Sequence, residues 1–338
     1  MNFNKNYHYH SLDLLRGISG YGVAICHFYA FFYQNPSYEY FSLLFVEFFF
    51  VLSGFVLYPQ LIEVLNNKKN LIIFYKRRWL RTIPLYIFCL ILASFIFDEL
   101  FSMDFFKYLF FVQDLFPDFV SNNYYPVAWS LAIEEFFYLV FPIIVIFFGK
   151  KNFLKKIIIL LVLIYVLKIL FINEFSSSFY RTGTIFRFDA ILIGFLARYF
   201  LIYFNNKYMP VILLICSLIL FGYFESNIVN EYEDDKTKFL FVLGVQIISL
   251  ISLVTFINFE KFITNGQIKK IFSLISKQTY SVYLFHLILI HLMLKINYTG
   301  GFPVLVYFLL LFAISSVLYY FFELPFLKIR PKILRSDK

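Results

Sequence analysis

Arg16 and His27 are the residues of this chain best placed to do chemistry, and both lie in one apolar stretch, SLDLLRGISGYGVAICHF at 11–28. They stand eleven positions apart, which at about 100° per residue is three turns plus about 20°. Both side chains therefore fall on one helix face, about 16 Å apart along the axis. An imidazole can take or give a proton near neutral pH, and a guanidinium can hold a developing or resident anion. A charge at the centre of a bilayer costs about 2.5–3.5 kcal/mol on insertion scales, so each needs a function or a partner. The plainer alternative is that Arg16 snorkels to the interface and His27 serves the packing. Cys26 adjoins His27 but points about 100° away around the helix, which argues against a thiol–imidazole dyad.

The stretch belongs to a very apolar chain. Of its 338 residues 61% are hydrophobic and 23% aromatic, and the mean hydropathy is +0.76. Soluble domains average about 45–50% apolar residues, so the composition indicates a membrane protein. The net charge of +9 then reflects loops retained on the cytoplasmic side; no nucleic-acid partner is expected. Cys26, Cys89 and Cys216 all fall in apolar segments and offer neither a disulfide framework nor a metal-type spacing. No cleavable signal peptide is read at the N-terminus, where the apolar run is too long and lacks an A-x-A-like site.

The expected fold is all-α: a polytopic bundle of about ten transmembrane helices in a single membrane-embedded domain over 1–338, with a core of about 11–327 and no appended soluble domain. The ten spans are 12–33, 41–62, 83–101, 128–148, 157–173, 185–204, 209–224, 239–258, 271–294 and 302–323, each near the length a bilayer core demands. The segment 104–116 is short and reads as interfacial or re-entrant. With both termini in the cytoplasm, 21 lysines and arginines fall on that side and 5 on the other, a positive-inside bias. The acidic run Glu225, Glu231, Glu233, Asp234 and Asp235 then faces outward.

Depths follow from the spans. His27, Glu47, Glu134, Arg187, Asp189 and His286 are expected in the outer half, and Arg77, Arg78 and Arg81 at the inner mouth with Arg16 just inside. A cationic inner mouth suits a polyanionic cytoplasmic ligand. A carboxylate–imidazole cluster opening outward suits proton transfer on an external acceptor. Pinning of the loop is the alternative for the arginines, and helix-fixing ion pairs the alternative for the carboxylates. Ser53 and Gly54 are small residues in a bulky helix, where a backbone or a thin ligand can approach closely. Glu134 and Glu135 point to different faces, so one at most suits the interior. Pro84 is placed in the first turn of the third helix. His286 and His291 are five apart, poor spacing for a shared metal, and no metal is expected.

Taken together these stretches resemble the integral-membrane acyltransferase 3 family, which O-acylates bacterial surface glycans. The opening stretch is similar to that family's first-helix signature of an Arg, ten residues and a His. FFFVLSGF at 48–55, RRWLRTIPLY at 77–86, WSLAIEEFFYLVFP at 129–142, FRFDAILIG at 186–194, TYSVYLFH at 279–286 and FFELPFL at 321–327 resemble its further motifs, in order. Leu14 stands where the family usually has Gly. The resemblance implies an acyl-CoA donor, usually acetyl-CoA, bound from the cytoplasm, and a hydroxyl on a surface or lipid-linked glycan as acceptor. By motif it implies His27 as the catalytic residue, acting as base or as transient acyl carrier. It further implies Arg16 orienting the donor, and Arg78 and Arg81, with Arg77 beside them, holding CoA phosphates. Glu134 is the candidate to orient or charge His27, and Ser53 and Gly54 are candidates to line the donor path.

The location so implied is a bacterial inner membrane. A transporter or flippase for a lipid-linked glycan is the competing class, but its sign, inverted repeats with broken helices, is not found. An acyltransferase acting on a small hydrophobic product, and an inactive scaffold, are the other readings. The sequence leaves open acceptor, acyl length and oligomeric state.

Overall fold

The computed structural model describes residues 8–34, 37–200, 208–228, 235–298 and 301–334. Among them the regular structure is helical. The longer helices are α1 (His10–Phe32), α2 (Ser37–Asn66), α3 (Asn70–Ile96), α5 (Ala128–Phe148), α6 (Phe153–Leu170), α8 (Phe188–Phe200), α9 (Met209–Ile228), α10 (Asp235–Phe259), α11 (Gly266–Lys295) and α12 (Pro303–Leu318). Short helices are α4 (Met103–Leu109), α7 (Ser177–Thr182) and α13 (Leu324–Lys328). A turn of 3-10 helix, Glu260–Phe262, follows α10, and one π-helical turn, Tyr319–Glu323, joins α12 to α13. The spans read from the sequence overlap these longer helices, some only in part. Among the described residues, five stretches are long and apolar enough to cross a bilayer: Phe41–Asn66, Asn70–Ile96, Ala128–Phe148, Leu240–Phe262 and Pro303–Lys328. The chain is a membrane protein on this composition. The acidic residues Glu231, Glu233 and Asp234, and the side chains of Glu225 and Asp235, lie outside the described residues.

Two expectations need correction at α3. The helix begins at Asn70, so Arg77, Arg78 and Arg81 stand within it and not in a preceding loop. Pro84 lies in its interior. The basic residues interrupt the apolar run and concealed a helix whose buried face carries Arg78 together with Phe74 and Leu85. Pro84 leaves the carbonyl of Leu80 without its usual donor, a loss that membrane helices absorb locally.

The chain divides into two compact units, Met1–Pro59 with Ala190–Tyr280, and Gln60–Asp189 with Ser281–Lys338. In the first, α2 and α8 cross backbone to backbone. A Cβ on Gly54 would stand 1.8 Å from the carbonyl oxygen of Ile191, and one on Gly194 would stand 1.8 Å from that of Val51. No side chain fits at either position. Of the two uses open to the Ser53–Gly54 pair, Gly54 serves the close approach of a helix. Gly17 and Gly20 of α1 likewise seat Ile275 and Thr279 of α11. In the second unit, aromatic side chains dominate the interior, with Tyr86 stacked on Phe111 at 4.4 Å and Phe137 on Phe141 at 4.3 Å.

Candidate active site

The first unit holds the imidazole and the acidic end of α1. His27 is half-buried, its Nε2 3.1 Å from Ser42 Oγ. Ser42 is buried in the first turns of α2 and donates its hydroxyl to the Glu39 carbonyl at 2.6 Å. A hydroxyl has one proton to give. With that proton directed to Glu39, Ser42 Oγ accepts from His27 Nε2–H, and the neutral imidazole carries its lone pair on Nδ1. Glu47, also on α2, is buried at 3% exposure.

Fourteen residues before His27, toward the start of α1, Asp13 collects donors. Ser276 Oγ donates to it at 3.1 Å, and Arg16 Nη1 lies 3.6 Å from it while donating to Ser276 at 3.2 Å. His8 Nε2 is 2.6 Å from the same carboxylate, and His10 Nδ1 3.9 Å. This His8–His10–Asp13 group has metal-ligand atoms within 4.8 Å of one another. The sequence reading missed it, although H-x-H-x-x-D was a visible signal. The Arg16 guanidinium beside Asp13 opposes a cation there. The N-terminus of α1 is completed by Glu260, which accepts from the Ser11 amide at 2.7 Å; a carboxylate there satisfies an orphan donor and complements the helix dipole.

The second unit holds the arginines. Arg78 is buried at 7% exposure, its guanidinium 5.2 Å from the Tyr138 ring centroid and 5.7 Å from that of Phe74. Tyr138 in turn donates to Glu134 at 2.9 Å. Glu134 and Arg78 are thus neighbours within electrostatic reach. This corrects the depth map, which set Glu134 in an outer cluster and Arg78 at the inner mouth; with α3 starting at Asn70, Arg78 is already two turns into a helix. Within this unit Tyr138 and Arg78 stand beside Glu134. Glu135 is the more buried of the two glutamates, beside Thr82. The Nε atoms of Arg77 and Arg78 are buried without a hydrogen-bond partner among the described residues. Such guanidiniums fit a polyphosphorylated ligand, since each retains planar donors for phosphate oxygens.

Other predicted polar residues have structural partners. Asp189 contacts Lys168 Nζ, both with no exposed side-chain surface. Lys168 sits in the last turn of α6, and its charge in a continuous apolar run was the signal that the sequence reading passed over. Arg187, two residues from Asp189, is buried at 3%. His286 is fully buried with Nδ1 2.6 Å from the Tyr283 carbonyl of its own helix, which therefore receives the Nδ1 proton. The π-helical turn buries Glu323, which accepts from Ser281 and lies within reach of Arg81; π-turns recur at functional sites. Ser42, Glu323 and Arg330 were not singled out from sequence.

A family model described as an acyltransferase domain matches residues 9–323. The chain belongs to this acyltransferase family. Both the imidazole and the arginine cluster fall inside the matched range. It is 29% identical over 355 aligned positions to the O-acetyltransferase OatA of Staphylococcus aureus, covering 94% of this chain and 57% of that protein. It is 33% identical over 153 residues to an uncharacterized protein of Haemophilus influenzae, covering 40% of this chain and 62% of that one. The chain thus spans about three fifths of the length of these relatives. No solved structure matches.

Proposed function

We propose that this acyltransferase is a membrane O-acetyltransferase that moves an acetyl group from acetyl-CoA, bound from the cytoplasm, to a hydroxyl of a surface or lipid-linked glycan. The observation that carries the reading is the half-buried His27 of α1, its Nε2 3.1 Å from the buried Ser42 hydroxyl, inside the range matched by the acyltransferase family. In the base form of the reaction, the acceptor hydroxyl oxygen bonds to the thioester carbonyl carbon while Nδ1 takes the hydroxyl proton. The C–S bond then breaks, coenzyme A leaves as thiolate, and the imidazolium returns its proton. If His27 carries the acyl group instead, Nδ1 attacks the carbonyl carbon, the C–S bond breaks and coenzyme A leaves as thiolate; the acceptor hydroxyl oxygen then displaces the imidazole, and its proton passes to the thiolate.

Arg77, Arg78 and Arg81 hold the phosphates of the donor. Arg16, beside Asp13 and Ser276, stabilises the negative charge that develops on the carbonyl oxygen. Ser42 orients His27, and Glu134 serves the arginines through Tyr138. The ten helices cross a bacterial inner membrane as one domain, with both termini in the cytoplasm.

The test is chemical. Purified protein with labelled acetyl-CoA and lipid-linked glycan should yield alkali-labile acetyl ester on the glycan, and surface glycan from cells lacking the gene should lose it. Transport of glycan without ester formation would replace this reading with a flippase. A single cysteine at Lys69 should be shielded from an impermeant thiol reagent in intact cells, and one at Glu233 should react; the reverse pattern would turn the donor side around.

A further inference from the structure

After α13 the chain does not leave α3. Its segment Ile329–Leu334 is pinned across the first turns of that helix at two places. Buried Asn70 accepts from the Leu334 amide at 3.0 Å and donates to the Leu334 carbonyl at 2.8 Å, so one side chain grips both backbone groups of one residue. Seven residues along α3, Arg77 Nη1 donates to the Pro331 carbonyl at 2.7 Å. Pro331 restricts the backbone between these two grips. The residue so fixed is Arg330. It is half-buried, and its Nε donates to Leu327 at 3.3 Å.

This arrangement adds a fourth guanidinium to Arg77, Arg78 and Arg81. Burial and those three charges together push Arg330 down to about 10, which is the signature of a crowded cationic pocket. Among the described residues the carboxylates within reach of the group are Glu134 and Glu135, beside Arg78, and Glu323, beside Arg81. Four cations against three carboxylates leave the buried cluster net positive, and folding gains nothing from gathering like charges. Arg78 is more than nine-tenths buried and its Nε has no hydrogen-bond partner among the described residues. The cluster is arranged for a ligand with several phosphates. A phosphomonoester and a diphosphate together carry roughly four negative charges.

We propose that Arg330, held over α3 by the Asn70 and Arg77 grips, is the fourth arm of an anion site that takes the phosphomonoester and diphosphate groups of the acyl-CoA donor. This rests on the donor reading above and adds to it a residue beyond the arginines of α3. The C-terminal segment is then a strap that closes one side of the donor site.

Binding of coenzyme A to the full chain in nanodiscs of neutral phosphatidylcholine, followed by calorimetry, tests it. R330Q should raise the Kd for coenzyme A about ten- to a hundredfold, the usual range for losing a charge-assisted hydrogen bond. R330K should recover part of the loss. N70A, which loosens the strap without removing a charge, should weaken binding in the same direction. K332Q, at an exposed neighbouring lysine, should bind as the unaltered chain does. Dephospho-coenzyme A should show a smaller difference between R330Q and the unaltered chain if Arg330 meets the phosphomonoester.

If the unaltered chain binds coenzyme A and R78K weakens it while R330Q and N70A do not, the strap proposal is overturned and the donor reading stands. If the unaltered chain binds no coenzyme A, the donor reading itself fails and the strap proposal with it. Nanodiscs doped with phosphatidylglycerol separate the other source of phosphate: Arg330-dependent retention of that lipid, with coenzyme A affinity unchanged, would overturn the proposal in favour of a lipid headgroup.

Discussion

His27 Nε2 lies 3.1 Å from Ser42 Oγ, and the Ser42 proton is directed at the Glu39 carbonyl. The hydroxyl is therefore an acceptor, and it selects the Nε2–H tautomer of the imidazole. A small polar residue on α2 thus decides which nitrogen of an α1 histidine is basic. His27→Ala should lower turnover by about 10²–10⁴-fold, the range for loss of a general base, while coenzyme A binding persists. Residual activity above roughly a tenth would remove His27 from the chemistry.

Ser42→Ala should be milder and of a different kind. It leaves the imidazole in place but frees its tautomer, so turnover should fall while the KM for either substrate changes little. The acid limb of the pH–rate profile should move with it, and Ser42→Thr should restore much of the rate. Nitrogen NMR shifts of labelled histidine should show Nε2–H in the unaltered chain and a mixture in Ser42→Ala. Equal tautomer populations in both would remove Ser42 from its positioning role.

Arg78 makes a prediction through its surroundings. The Tyr138 ring at 5.2 Å and the Phe74 ring at 5.7 Å hold the guanidinium as a flat group. Lysine keeps the charge but loses both the fork and the stacking surface. Arg78→Lys should raise the donor KM about tenfold or more, with a smaller effect on the acceptor KM. Tyr138→Phe keeps the ring and releases Glu134, so it should alter donor binding less than Arg78→Lys does. The same donor KM in Arg78→Lys and the unaltered chain would reduce the cluster to a topological device.

The sequence was most legible where hydrophobic runs were unbroken. Spans 128–148 and 209–224 begin where α5 and α9 begin. It was least legible where charge entered a helix. The arginines of α3 looked like a loop, so the contact of Arg78 with Tyr138 and Glu134 could not be foreseen. Arg16 and His27 stood out because their spacing is local to one helix. Their partners Ser276 and Ser42 did not: a serine hydroxyl in an apolar helix most often bonds its own backbone, as Ser19, Ser94 and Ser249 do here. The grip of Asn70 on Leu334 spans 264 positions of sequence, and no periodicity carries such a pairing.

Lys168 and Asp189 form an ion pair with no exposed side-chain surface. Removing one partner of such a pair leaves the other buried without its counter-charge, which typically costs about 3–5 kcal/mol. Lys168→Met should therefore lower the melting temperature sharply in detergent, and Asp189→Asn should do so to a lesser extent because the amide stays hydrogen-bonding. The double variant Lys168→Met/Asp189→Leu should recover most of the loss, since an apolar pair of similar volume is close to neutral in such a site. Additive losses in the double variant would show that each residue is held by other contacts. The residual activity of the double variant then separates packing from chemistry: full activity marks the pair as structural.

Asp114 lies between α4 and α5, outside the apolar spans, and burial pushes its carboxyl up to about 7 against the pull of a hydrogen bond from Thr182. The phenols of Tyr86 and Tyr108 lie within electrostatic reach of it, and its carbonyl accepts from the Thr184 amide at 3.0 Å. The folded-state value is raised above the unfolded one, so between about pH 4 and pH 7 the folded chain holds a proton that the unfolded chain has released. Stability from this group is full below about pH 4, is lost as pH rises through 7, and is flat above that. The whole difference is on the order of 3–4 kcal/mol. Amide exchange across residues 111–127 should therefore be slower at pH 5.5 than at pH 8 after correction for intrinsic rates. Asp114→Asn, which cannot ionise, should remove that difference while keeping the backbone contact to Thr184. Protection that grows with pH in the unaltered chain would mean an ionised Asp114 held by a cation, and would reverse the assignment.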